Sequence, residues 1–126
     1  MLNSVVLQGR LATDPELRYT PSNVAVTSFP IAVERSYVKS GAERQVDFFD
    51  VVAWRNTAEF ICNNFHKGQA IALVGELQTR EYTDKNNIKR KVVEVIASQA
   101  HFCDNKVNKT TQTSFDEEPY NDDLPF

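Results

Sequence analysis

Between Asn56 and Gly68 the chain carries its single run with helical spacing, and the patterned segments on either side alternate like β-strands. Phe60, Ile61, Asn64 and Phe65 form the stripe that one helix face requires. Asn56 and Glu59 stand as an N-cap and its N3 partner, a variant of the capping box, and Gly68 occupies the place of a C′ glycine. Ahead of this run, Val5-Val6-Leu7-Gln8-Gly9-Arg10-Leu11 reads as a first strand closed by the turn signal Thr13-Asp14-Pro15. Val24 to Tyr37 reads as a second strand with Phe29, Ile31 and Val33 alternating. Pro30 cannot donate a ladder hydrogen bond and predicts an edge or a bulge there. Lys39-Ser40-Gly41-Ala42 turns into a third strand, Arg44 to Trp54. Beyond the helix, Ala70 to Tyr82 and Arg90 to Ser98 form a hairpin across Asp84-Lys85-Asn86-Asn87.

The order β-β-β-α-β-β predicts an all-β domain with one helix, the arrangement of the OB-fold, a five-stranded Greek-key barrel. The 41% hydrophobic content suffices for a small packed core of that kind. This pattern fills residues 1–103 and then stops. Asn, Lys, Thr, Gln and Ser dominate from Asp104 to Ser114, so residues 104–121 read as a disordered tether. Eighteen flexible residues hold their ends roughly 20–25 Å apart. The tip, 122–126, is Asp122-Asp123-Leu124-Pro125-Phe126. Two acids, two large apolar side chains and a terminal carboxylate suit a peptide that enters a basic-rimmed apolar pocket on another protein. The plain reading of such an end is a frayed, solubilising one.

Charge divides at the same boundary. The formal net charge of −3 combines a domain with twelve Lys/Arg and eleven Asp/Glu and a tail with two Lys and six acids. The acidity belongs to the tail, and the domain's bases are free to cluster. Two cysteines suggest reduced thiols rather than a disulfide scaffold. The opening residues show no charged start followed by a long apolar stretch, and the longest strictly apolar run is Ala70 to Val74. A soluble cytoplasmic protein is the expectation.

Little here suggests catalysis. The four glycines, Gly9, Gly41, Gly68 and Gly75, form no nucleotide-binding motif, and no nucleophile–base pattern stands out. Cys62 and His66 lie four apart on the helix, and His101 and Cys103 two apart near the last strand, which together are a permitted zinc set. Cys62 is equally a small apolar residue for a buried helix side, and His66 suits the last helical turn. The expectation is no metal, no cofactor and no enzymatic activity.

The aromatic residues carry more. Phe48 and Trp54 lie six apart on the third strand and share a face with Asp50 and Val52, while Phe49, Val51 and Ala53 point toward the core. Tyr82 is in phase with Arg80, Gln78 and Glu76 and out of phase with Leu77, Leu73 and Ile71. With Tyr37 at the end of the second strand, these rings lie among Arg10, Arg18, Arg35, Arg55, Arg80, Lys89 and Lys91. Bases stack on such rings while cations track phosphates, the composition of a single-strand platform. The ordinary alternatives are rings packed beneath loops and solvated surface bases.

Four blocks then coincide: Val5 to Leu11, Asp14-Pro15-Glu16-Leu17-Arg18-Tyr19-Thr20, Asp47-Phe48-Phe49-Asp50-Val51-Val52-Ala53-Trp54, and Gly75-Glu76-Leu77-Gln78-Thr79-Arg80-Glu81-Tyr82-Thr83-Asp84. In this order, and followed by Asp122 to Phe126, they resemble bacterial-type single-stranded DNA-binding proteins. The resemblance implies an OB-fold homotetramer that wraps single-stranded DNA in replication, recombination and repair, close to the nucleoid. It places base stacking on Tyr37, Phe48, Trp54 and Tyr82, and docking of partner proteins on Asp122, Asp123, Leu124, Pro125 and Phe126. The best-known members of that family carry tryptophan where Tyr37, Phe48 and Tyr82 stand here, Pro30 is unusual for its strand, and the tether is short. The rival readings are an OB-fold protein–protein adaptor, a nuclease and a tRNA-binding module. A nuclease would need clustered acids, and Asp47 and Asp50 fall on opposite strand faces.

Overall fold

Six strands and one helix form in the computed structural model, which describes residues 1–36 and 39–103. They are β1 (Val5–Leu11), β2 (Arg18–Tyr19), β3 (Ala25–Glu34), β4 (Val46–Trp54), α1 (Arg55–Asn64), β5 (Ala70–Thr83) and β6 (Lys89–Phe102). The sheet order is β1-β5-β6-β4-β3-β2, and a further β1–β3 pairing closes it into a barrel. All pairings are antiparallel except β4–β6, whose parallel register runs from Val51↔Val95 to Ala53↔Ala97. A parallel pair needs a crossover, and α1 with β5 supplies it. This is the expected barrel of five main strands and one helix, with the two-residue β2 added where strand alternation in the sequence is absent.

Period-two alternation builds the core. Leu11, Phe29, Ile31, Val51, Ala53, Ile71, Leu73, Val95 and Ala97 face inward, and Ala58 and Ile61 of α1, with Phe65 just past its end, cover one end of the barrel. Where β1 crosses β3, a Cβ on Gly9 would lie 2.5 Å from the Ala32 carbonyl oxygen. Only glycine admits that approach. The β5–β6 register shifts between Val74 and Gly75, a bulge at the point where β5 parts from β1.

Pro30 sits in a gap. The β3–β4 ladder is continuous from Val26↔Trp54 to Glu34↔Val46, so Pro30 makes no bulge. On its other edge β3 pairs with β1 at Ile31 and Ala32 and with β2 at Ala25 and Val26, and Pro30 falls between these partners. Its carbonyl accepts the Ala12 N–H at 3.0 Å on that side. The missing proline donor therefore costs no ladder bond.

Several boundaries depart from the sequence reading. The helix begins at Arg55, directly after Trp54, with no side-chain cap, so the Asn56–Glu59 capping box does not form. Trp54 is still paired with Val26, and Arg55 at φ 57° turns the chain sharply into the helix. No residue remains in which an asparagine could sit ahead of the first turn. The helix ends at Asn64, with Phe65 extended, rather than at Gly68. Gly68 (φ 86°) instead forms a separate turn, and its N–H donates to the Leu11 carbonyl at 2.8 Å.

Two residues whose strand parity points to the core are partly open. Phe49 is 38% exposed because β4 gains its β6 neighbour only from Val51 onward. Leu77 is 43% exposed because β5 beyond Gly75 has lost β1 and keeps only β6. Beyond Leu77 and its partner Val95, where β6 stops pairing with β4, the β5–β6 hairpin extends from the barrel as an arm.

Candidate nucleic-acid interface

The ladder registers place the outward-facing residues in rows. Arg10 pairs with Ala32 and Ala32 with Phe48, so these three form one row across β1, β3 and β4. Arg18, Val26 and Trp54 form a second row across β2, β3 and β4. A third row, Glu76–Ile96–Val52–Ser28, crosses β5, β6, β4 and β3 and joins the barrel wall to the hairpin arm. On the arm the same face continues through Gln78 and Glu94, Arg80 and Val92, then Tyr82 and Arg90. Phe48, Trp54 and Tyr82 thus lie on one continuous surface.

Their rings are open to solvent: Phe48 is 65%, Trp54 42% and Tyr82 43% exposed. Sheet pairing of their backbones holds them there, which limits the entropy lost when a base stacks. Beside Phe48, a shallow cavity of about 560 Å³ is lined by Gln8, Arg10, Ala32, Glu34, Val46 and Ala70. Arg10 donates to the Gly68 carbonyl at 2.9 Å, and Arg18 to Ser28 Oγ at 3.2 Å. Each guanidinium is thereby tethered to the fold by one hydrogen bond.

The remaining cations divide into three groups. Arg35 makes a two-pronged pair with Asp47 at 2.9 and 3.0 Å. The bonded guanidinium holds the Asp47 carboxyl below its ordinary range. Arg80 likewise pairs with Glu94 at 3.0 and 3.4 Å, and its guanidinium carbon lies 5.9 Å from the Tyr82 ring centre. Lys89 and Lys91 pair across from Thr83 and Glu81, on the opposite face of the arm from Tyr82. Arg55 stands exposed at the strand-to-helix turn. Of the sequence candidates, the structure brings together Phe48, Trp54, Tyr82, Arg10, Arg18 and Arg80. It leaves Lys89 and Lys91 apart and engages Arg35 within the fold. Tyr37, the tether 104–121 and the tip Asp122 to Phe126 lie outside the described residues.

Arg90 and Asp50 also belong to this face, although neither is among the sequence candidates. Arg90 lies opposite Tyr82 and donates to Asp84 Oδ2 at 2.9 Å. Counting pairs outward from the Asp84–Asn87 turn finds it. Asp84 shapes that turn: Oδ1 accepts the Asn86 and Ile88 N–H groups at 2.9 and 3.0 Å, and Asn87 takes φ 65°. The Ile88 amide, then Arg90, holds the Asp84 carboxyl below its ordinary value.

Cys62 lies half-buried on α1 and Cys103 is exposed just past β6. Among the described residues no group of three or more His, Cys, Asp or Glu is placed to hold a metal, and no helix is long and apolar enough to cross a membrane. Phe60, Phe65 and Phe102 pack ring to ring beneath the barrel, with Phe65 and Phe102 stacked at 4.8 Å between centres. They serve the helix–barrel joint, away from the stacking face.

The model of the single-strand binding protein family matches residues 2–103. A single-stranded DNA-binding protein of Caldanaerobacter subterraneus subsp. tengcongensis is 44% identical over 106 residues, covering 84% of this chain and 71% of its own. Single-stranded DNA-binding protein 2 of Listeria monocytogenes is 44% identical over 86% of this chain and 68% of its own. Single-stranded DNA-binding protein 4 of Streptococcus agalactiae is 39% identical and aligns over the whole of both chains.

Proposed function

The chain belongs to the single-strand binding protein family, and from that membership we propose that the face bearing Phe48, Trp54 and Tyr82 binds single-stranded DNA. The observation that carries this reading is the exposure of those three rings on one continuous surface beside Arg10 and Arg18. Each stacked base contributes roughly 1–3 kcal/mol and tolerates any sequence, because every base has a π-face. Each neutralised phosphate adds a salt-dependent term with a slope near −0.7 on single strands. A duplex hides its base faces in its own stack and offers the rings nothing to stack on. The role is to bind and protect, not to catalyse.

The finer reading extends this to replication, recombination and repair in the cytoplasm, close to the nucleoid. Four copies would multiply the stacking face and let one strand wrap from subunit to subunit. Asp122, Asp123, Leu124, Pro125 and Phe126 would recruit the enzymes of those processes to the covered strand. Anisotropy titration of labelled oligo(dT) at low and high salt, with duplex DNA as competitor, tests the central claim. Tight, salt-weakened binding that duplex does not displace is expected. No binding at low salt would overturn it and leave the rings as a protein-docking surface.

A further inference from the structure

The hairpin arm is pinned at its base by a side chain far away in sequence. The β1–β5 ladder runs from Arg10↔Ala70 to Val5↔Gly75. Two residues further along β5, the Asn3 side chain takes over. Its Nδ2 donates to the Leu77 carbonyl at 2.9 Å, and its Oδ1 accepts the Leu77 N–H at 3.0 Å. A carboxamide presents a donor and an acceptor side by side, as a neighbouring strand's peptide groups do. Asn3 therefore adds one rung to the ladder after the β1 backbone has left it.

The level of that rung matters. Leu77 pairs across the hairpin with Val95, which is also the first β6 residue of the β4–β6 ladder, opposite Val51. The arm is thus gripped on both edges at one level, by Asn3 on the β5 side and by β4 on the β6 side. Burial adds little on the β5 side, since Leu77 is 43% exposed. Tyr82 lies five residues further out. That is about 17 Å of strand, so a pivot of about 10° at Leu77 swings the ring by about 3 Å. A displacement of that size takes a ring out of line with the base that it stacks on.

We propose that Asn3 is a positioning residue for single-strand binding: its amide fixes the angle at which the arm leaves the barrel, and so holds Tyr82 in line with Phe48 and Trp54. The inference rests on the single-strand reading above and deepens it. Asn3 acts through the arm rather than by meeting the DNA. With the arm already set, one strand stacks on all three rings without first ordering the hairpin.

Anisotropy titrations of oligo(dT) with the full chain, arranged as two double-mutant cycles, test this. Asn3→Ala alone should weaken binding by about fivefold, the value of one modest base stack. In a Tyr82→Ala background the same change should cause no further loss, since the ring it positions is gone. In a Phe48→Ala background, where the missing ring belongs to the barrel wall, the fivefold loss should persist. Equal losses in both backgrounds, or no loss from Asn3→Ala alone, would overturn the assignment. The free protein gives a second readout. NMR order parameters for the amides of residues 78–92 should fall in Asn3→Ala while those of the barrel strands hold. An arm as rigid in the variant as in the wild type would overturn the proposal even if binding weakened. Failure of the wild type to bind oligo(dT) would instead overturn the binding face itself, and with it the role of Asn3 in binding.

Discussion

Arg80 reaches diagonally across the hairpin arm to Glu94, Nη2 to Oε2 at 3.0 Å, on the same side as the Tyr82 ring. The bonded carboxylate keeps the guanidinium even more firmly charged than usual, yet occupies its Nε and Nη2 edge and offsets the charge a phosphate would meet. Replacing Glu94 with Gln should release Arg80. We expect tighter binding of oligo(dT) at low salt and a log–log salt slope steeper by about 0.7, the value of one additional phosphate contact. An unchanged slope would mean that Arg80 does not meet the backbone.

The rings should account for most of the affinity. Phe48→Ala, Trp54→Ala and Tyr82→Ala should each weaken oligonucleotide binding by roughly 1–3 kcal/mol. Val93→Ala, on the opposite face of the arm, should leave affinity within a factor of about two. Trp54 is the chain's single tryptophan, so its emission should fall as DNA binds. A saturating titration with constant emission would place Trp54 off the DNA path.

The hairpin turn should be acid-sensitive. Asp84 has its folded pKa lowered, so its contribution to turn stability is present above the ordinary aspartate value of about 3.9. That contribution is lost as pH falls through the lower folded value. The Ile88 amide resonance should therefore titrate with a midpoint below the ordinary value, and Asp84→Asn should abolish the transition. A midpoint at or above the ordinary value would contradict the hydrogen bonds that Asp84 accepts from the Asn86 and Ile88 amides.

Thr27 is fully buried and its hydroxyl finds no partner among the described residues. Valine has nearly the same shape without the oxygen. Thr27→Val should raise unfolding free energy by about 1 kcal/mol, measured by urea titration, because a buried unpaired hydroxyl costs at least that much. Loss of stability would point to a water that the hydroxyl binds.

The acidic tail should compete with DNA for the domain's cations. Deleting residues 116–126 removes five acids and should raise oligo(dT) affinity modestly at low salt, with the difference vanishing at high salt. It should also end capture of replication and repair enzymes by the immobilised protein. Equal low-salt affinity with and without the tail would count against the competition.

Much of this protein is local in origin and therefore legible in its residues. Strand alternation, the Asp84–Asn87 turn and the helical stripe through Ile61 and Phe65 depend on neighbours a few positions away. Their periods alone are enough to put Phe48, Trp54 and Tyr82 on the outward side of their strands. What the tertiary structure alone decided involves partners distant along the chain. The pairing of β4 with β6 buries Val51 yet leaves Phe49 open, and the loss of β1 beyond Gly75 exposes Leu77 on the arm. The Arg35–Asp47 and Arg80–Glu94 pairs engage two cations that composition counts as available, and the arm's pairing turns Lys89 and Lys91 away from Tyr82. Alternation assigns a residue to one of two faces, but which neighbour covers that face, and which charge meets which, follow only from how the strands are brought side by side.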